Sequence, residues 1–311
     1  MACTRPPGSR LPAACAQRSA EAVRRGCTCN PEDIDKTVAM GESLAYGVGA
    51  VAALLAVDEL LRRARRTASA TGTGLRLLQA ARLVAFFLLA ARLATSCRAG
   101  EGAGLDVAWM VAFGVFGLLA VELAQALGFV AIRGLAAAVR ADNLAAAVAA
   151  AGHVLAVGVL VANVAGGATV AELLVAATSF AVGQATLLLL LWLFRRLTAY
   201  DDRGEILAGN VAAGLSHAGL TVALALLIAH ATDGPFVGVW PAVRDYGVAL
   251  AEGLVIWPLR QLLVQCVLFR ARPRLGGGEL DAAIAAGDLG AGALEAAAYL
   301  GLVLFVRSVA S

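Results

Sequence analysis

The chain has 311 residues, 60% of them hydrophobic and 15% charged, with a formal net charge of +3 and a mean hydropathy of +0.79. Water-soluble domains carry about a quarter charged residues, so this composition excludes one and points to the lipid bilayer as solvent. The small net charge and the scattered basic residues exclude nucleic acid as a partner.

Residues 1–36 form a polar, Pro-containing tail with Cys3, Cys15, Cys27 and Cys29. Its first 20 residues hold Arg, Ser and Ala and no acid, as in organelle transit peptides, and it lacks the apolar core of a secretory signal. It reads as a disordered or targeting tail. The Cys27-Thr28-Cys29 spacing does not suit a zinc site.

Eight apolar stretches follow, at about 37–61, 77–96, 105–130, 143–165, 169–194, 208–231, 243–269 and 283–307. They are rich in Ala and Leu and show no two-residue alternation, so the expected fold is all-α: a polytopic transmembrane helical bundle. Basic residues gather in every second loop: Arg62, Arg63, Arg65, Arg66 and Arg76, then Arg133 and Arg140, then Arg195, Arg196 and Arg203, then Arg270, Arg272 and Arg274. Those loops are expected on the cytoplasmic side and both termini on the other, with the basic tail opposing this unless it is cleaved or threaded late.

A local pattern recurs after three of the basic loops. Arg140-Ala-Asp-Asn143-Leu-Ala-Ala-Ala, Ile206-Leu-Ala-Gly209-Asn210-Val-Ala-Ala and Ile284-Ala-Ala-Gly287-Asp288-Leu-Gly-Ala align without gaps, and Gly72-Thr-Gly74-Leu-Arg76 reads as a fourth, decayed copy. Two helices per unit make the units parallel hairpins. The expected organisation is a first four-helix membrane unit at 37–165 and a second at 166–311.

The stretch Leu197-Thr-Ala-Tyr200-Asp-Asp-Arg-Gly-Glu205-Ile-Leu-Ala-Gly209-Asn210-Val-Ala-Ala resembles the hallmark of the bacterial inner-membrane family called domain of unknown function 350. There a threonine, an aromatic/acid stretch and a glutamate precede a Gly-Asn-x-Ala-Ala segment, and a degenerate copy opens a later helix; here that copy is Gly287-Asp288-Leu-Gly-Ala. The resemblance covers 170–311 well and 37–165 more weakly, as two tandem copies. It implies a polytopic integral membrane protein. This chain departs from the pattern in carrying Asp288 for the second Asn and no Gly before Asn143.

Polar groups inside apolar helices are expensive and therefore informative. Asn143, Asn210 and Asp288 share one place in the pattern, with Asn210 expected two turns into its span; seven residues on come Ala150, His217 and Glu295. Glu122 and Gln184 each lie 11 residues before a closing arginine. Asp202 and Glu205 have the spacing of a helix-start capping box. Arg260, two turns past Glu252, is placed for an ion pair within or between helices, and Arg82 and Arg92 are expected to snorkel apart.

No hydrolase elbow, phosphate loop or Cys/His cluster is present, so neither an enzyme nor a cofactor or metal site is expected. Two functions stay open. One is permeation or transport of a small ion or proton along Glu122, Gln184, Asn143, Asn210, His217, Asp288 and Glu295. The other is a non-catalytic structural or stress-response component, forming a homo-oligomer through small-residue faces such as Ala212, Ala213, Gly214 and Gly219.

Overall fold

The computed structural model describes residues 46–57, 59, 72–97, 103–197, 200–233, 238–268 and 278–310, and these are helical with short connections. The tail and its four cysteines, Arg62 to Arg66, and Arg270 to Arg274 lie outside them, as does the side chain of Glu252. Among the described residues six helices are long and apolar enough to cross a membrane: α2 (Thr73–Ser96), α3 (Ala103–Ala131), α5 (Leu144–Val164), α6 (Val170–Leu197), α8 (Val211–Ala231) and α12 (Leu289–Ala310). Of the first expected span, the described part is a short apolar helix, α1 (Tyr46–Val57). The seventh is broken into α9 (Val239–Leu254), α10 (Ile256–Gln261) and a π-helical turn, Leu262–Leu268. Pro258 removes a backbone donor in that stretch, and the wider π-turn follows it within four residues.

Three short helices precede the pattern positions and were not expected: α4 (Leu135–Arg140), α7 (Asp202–Ala208) and α11 (Glu279–Ala285). Each ends in the same way. A residue with positive φ (Asp142 at 61°, Gly209 at 97°, Gly287 at 85°) reverses the chain. The next amide then bonds back five residues, Asn143 to Ala138, Asn210 to Glu205 and Asp288 to Ala283, each at 3.0 Å. The following long helix starts at once. The Gly missing before Asn143 is thus replaced by an Asp that adopts the same left-handed backbone, which Asp tolerates better than most residues.

Helices α2, α5, α8 and α12 lie side by side in that order, running the same way, and neighbours pack in a constant register. Counted from the pattern Asn or Asp, the glycine nine residues on meets the alanine eight residues on in the next helix. A Cβ on Gly152 would come within 2.6 Å of the Ala218 Cα, and one on Gly219 within 2.5 Å of the Ala296 Cα. Likewise the glycine at position four faces the backbone at position two: Gly214 against Ala145, Gly292 against Ala212. Residues without bulk let whole backbones approach, and dispersion between close backbones replaces the hydrophobic drive that lipid removes. The smooth face formed by Ala212, Ala213, Gly214 and Gly219 is therefore used inside the chain, against α5 and α12.

Helices α3, α6 and α9 pack on this row. They leave Val111, Leu119, Leu123, Leu174 and Leu189 exposed, an apolar surface that suits lipid and not water. Gly214→Ala would set its Cβ 2.6 Å from the Ala145 carbonyl oxygen, whereas Gly301 has nothing within 4 Å. Gly214→Ala should cost about 1–3 kcal/mol as an overpacked contact. Gly301→Ala should be neutral or slightly stabilising in the same detergent unfolding titration.

Candidate functional site

The pattern residues sit at the starts of helices, which corrects the expected placing of Asn210 two turns inside its span. The chain reverses at Gly209, so Asn210 is the residue just before α8 and its Oδ1 accepts from the Ala213 amide at 3.2 Å. Asn143 does the same for α5, accepting from Ala146 at 3.0 Å. Asp288 accepts from Gly290 and Ala291, at 2.8 and 3.2 Å. A side chain in this position satisfies amides that the first helical turn leaves unpaired.

The amide nitrogens have a second use. Asn143 Nδ2 donates to the carbonyls of Ile206 and Leu207, at 3.1 and 3.0 Å, at the end of α7. Asn210 Nδ2 donates to Ile284 and Ala285, at 2.8 and 3.3 Å, at the end of α11, and also to Glu205 at 3.0 Å. In both cases the acceptors are the fourth and third residues before the next pattern position. Each Asn therefore ties its own helix start to the short helix of the following unit. At the first copy the tie runs backwards. Gly72 offers no side chain, and Asp142 of the next unit caps α2 through the Gly74 amide at 2.6 Å. A Cβ on Gly72 would lie 2.7 Å from the Asp142 Oδ1, so the missing side chain makes room for this cap.

A buried chain of polar groups begins beside these junctions. His217 Nε2 accepts from an Arg195 nitrogen at 3.4 Å, and the Arg195 charge acts on Asp202. The Tyr200 hydroxyl is shared between the Asp202 carboxyl and the Ser216 hydroxyl. Ser216 donates to Glu295, and Glu295 pairs with Arg260. The guanidinium lies 4.0 Å from Asp281 and 5.1 Å above the Tyr299 ring. Asp202, Ser216, His217, Arg260, Asp281, Glu295 and Tyr299 are all buried. Three carboxyl groups here face two guanidinium groups.

Asp202 and Glu205 do not act as a capping box. Asp202 points inward toward Arg195 and Tyr200, while Glu205 receives the Asn210 amide. Burial pushes the Asp202 carboxyl up to about 6, against the lowering effect of Arg195. The Tyr200 hydroxyl is raised as well, by burial first and by the Asp202 charge second.

The other sequence candidates lie apart from this chain. Glu122 on α3 pairs with Arg82 on α2, and Arg92 bonds the Ala165 carbonyl at 3.2 Å instead of ending free in lipid. Gln184 on α6 is buried in a cavity of about 430 Å³ beside Phe116 and Phe180, and neither atom of its amide has a partner among the described residues. His153 bonds the Ala124 carbonyl at 3.1 Å. Of the seven path candidates, His217 and Glu295 thus join one network, Asn143, Asn210 and Asp288 form the helix junctions, and Glu122 and Gln184 stand elsewhere. Tyr200, Ser216, Arg260 and Asp281 complete the network. Arg260 was expected in an ion pair and Tyr200 lies in the family-like stretch, whereas Ser216 and Asp281 carried no signal beyond a polar group inside or beside an apolar stretch. Among the described residues no group of three or more His, Cys, Asp or Glu side chains is placed to hold a metal ion.

Six apolar spanning-length helices around a small-residue core make this a multi-pass membrane protein fold. Residues 168–309, which contain the whole buried network, match the family described as Domain of Unknown Function (DUF350), the family that the Glu205 to Ala213 stretch resembles. No curated protein and no solved structure matches the chain.

Two expectations follow from this geometry. Asn210→Ala removes a cap and a tie and should lower stability by about 1–2 kcal/mol, whereas Asp288→Asn keeps its cap, and Asp288 makes no such tie among the described residues, so it should be near neutral in chemical unfolding. The raised Asp202 carboxyl contributes stability that is present below the ordinary carboxyl range and lost as pH rises through about 6. Relative to the wild type, Asp202→Asn should therefore gain stability between pH 4 and pH 8, by on the order of 2 kcal/mol, read from unfolding midpoints at the two pH values.

Proposed function

We propose that the chain moves protons, alone or with a small cation, across the hydrophobic layer through its C-terminal half, without covalent turnover. The observation that carries this reading is the uninterrupted run Asp202, Tyr200, Ser216, Glu295: a carboxyl, two hydroxyls and a carboxyl, each within hydrogen-bonding reach of the next. Hydroxyl groups accept one proton while releasing another, so such a run passes a proton from end to end without any group leaving its place. Asp202 lies on the short helix at the capped end, where its raised carboxyl exchanges protons near neutral pH. Glu295 lies seven residues past Asp288, about 10 Å into the row of inner helices.

Arg260 holds the inner end. It compensates the Glu295 charge, and the surplus carboxyl in the cluster gives the network room for one exchangeable proton. Passage past Glu295 calls for movement of Arg260. That residue sits between Pro258 and the π-helical turn, in a stretch where the regular helical hydrogen bonding is broken. The ties made by Asn143 and Asn210 favour a second reading, a structural membrane component with no flux, because they stabilise the fold without adding to a path.

Proteoliposomes under an imposed pH gradient, followed with a trapped pH dye, distinguish the two. The wild type should dissipate the gradient faster than empty vesicles, Glu295→Gln should abolish that excess, and Tyr200→Phe should slow it by about tenfold or more, as for loss of a positioned proton-transfer group. Equal rates for protein-containing and empty vesicles would leave the structural reading.

A further inference from the structure

At the membrane face opposite the helix junctions, the four inner helices end around a cleft of about 430 Å³. Its floor is apolar and lies toward the bilayer interior, formed by Leu88, Val159, Ala162, Leu226 and Ala229. Its outer part carries Arg92 and Thr95 from α2, Asn163 from α5 and Arg307 from α12. No acidic side chain is among the lining residues. The four helices that build it are those locked in register by the glycine–alanine contacts, so its shape is set by the rigid part of the fold.

We infer that this cleft binds one anionic phospholipid, with its acyl chain along the apolar floor and its phosphate between Arg92 and Arg307. The two arginines line the same cleft from the first and the last of the inner helices. The polarity profile favours a lipid over a soluble anion: the arginines lie near the ends of their helices, and most of the other lining residues are apolar. Guanidinium groups also match phosphate oxygens in geometry, whereas a zwitterionic headgroup would bring a cationic group beside the two arginines. Arg92 is held in place by its Nε bond to the Ala165 carbonyl at 3.2 Å, which leaves its two terminal nitrogens for the headgroup side. Asn163 is itself fixed, donating to Ala229 and Thr232 at 3.0 Å each, and so acts as a wall of the cleft.

The test is lipid retention. The purified chain is mixed with detergent-solubilised phosphatidylglycerol and phosphatidylcholine in equal amounts, and the bound lipid is counted by native mass spectrometry. One phosphatidylglycerol should be retained per chain, with a preference of about tenfold over phosphatidylcholine. Arg92→Gln with Arg307→Gln should erase the preference, and Arg92→Lys with Arg307→Lys should keep most of it. Leu226→Trp leaves both arginines but fills the floor and should expel the lipid, which covers the case in which the double Gln variant fails to fold. Equal retention of the two lipids, unchanged selectivity in the Gln variant, or displacement by millimolar inorganic phosphate would overturn the assignment.

Discussion

A primary amide has one oxygen to accept and two hydrogens to donate, and in this chain both ends of it are used at every inner junction. The oxygen of Asn143 or Asn210 caps the helix that begins there, while the nitrogen closes the end of a short helix two spans later in the chain. Bilayer hydrocarbon offers no partners for the exposed amides and carbonyls of helix ends, so junctions buried beneath other helices must be satisfied within the protein. One side chain does this for two helices at once. Because the tie is short and directional, it fixes how far each long helix can slide against its neighbour, and the glycine–alanine contacts further along inherit that register.

The same register decides where the polar network can form. With Gly292 against Ala212 and Gly219 against Ala296, the two helices are aligned so that Ser216 on one faces Glu295 on the other. A slip of one residue would turn either group by about 100° and leave a charge without a partner in an apolar interior. The ties and the network are therefore linked: the first costs nothing chemically reactive, and the second depends on it.

The sequence made the bilayer setting, the all-helical class and the family resemblance readable, because composition and the Gly-Asn-x-Ala-Ala string are local properties. The six long helices fall close to the expected stretches for the same reason. What stayed hidden was long-range. The short helices α4, α7 and α11 were merged into spans or loops because their composition matches the spans beside them; only the positive-φ residues separate them. Arg260 was expected to have a partner, yet its real ones, Glu295 and Asp281, lie on other helices and no spacing rule reaches them. Glu122 and Gln184 share a spacing but not an environment, since one faces an arginine and the other a cavity. The exchange of Asn for Asp at position 288 looked like decay. At this junction the side chain serves as an acceptor alone among the described residues, which an aspartate does as well as an asparagine.

The direction of the two asparagine ties bears on how the protein is made. The amide of Asn143 has its acceptors 63 and 64 residues further along the chain, and that of Asn210 has them 74 and 75 residues further. At about 5–20 residues per second, ribosomes deliver those acceptors several seconds after the donor. The helices that begin at Asn143 and Asn210 thus enter the membrane with a polar hand still open and close it on the short helix that follows, in the order of synthesis. Asp288 accepts only from its own helix, from the Gly290 and Ala291 amides, and so needs no later partner for its cap.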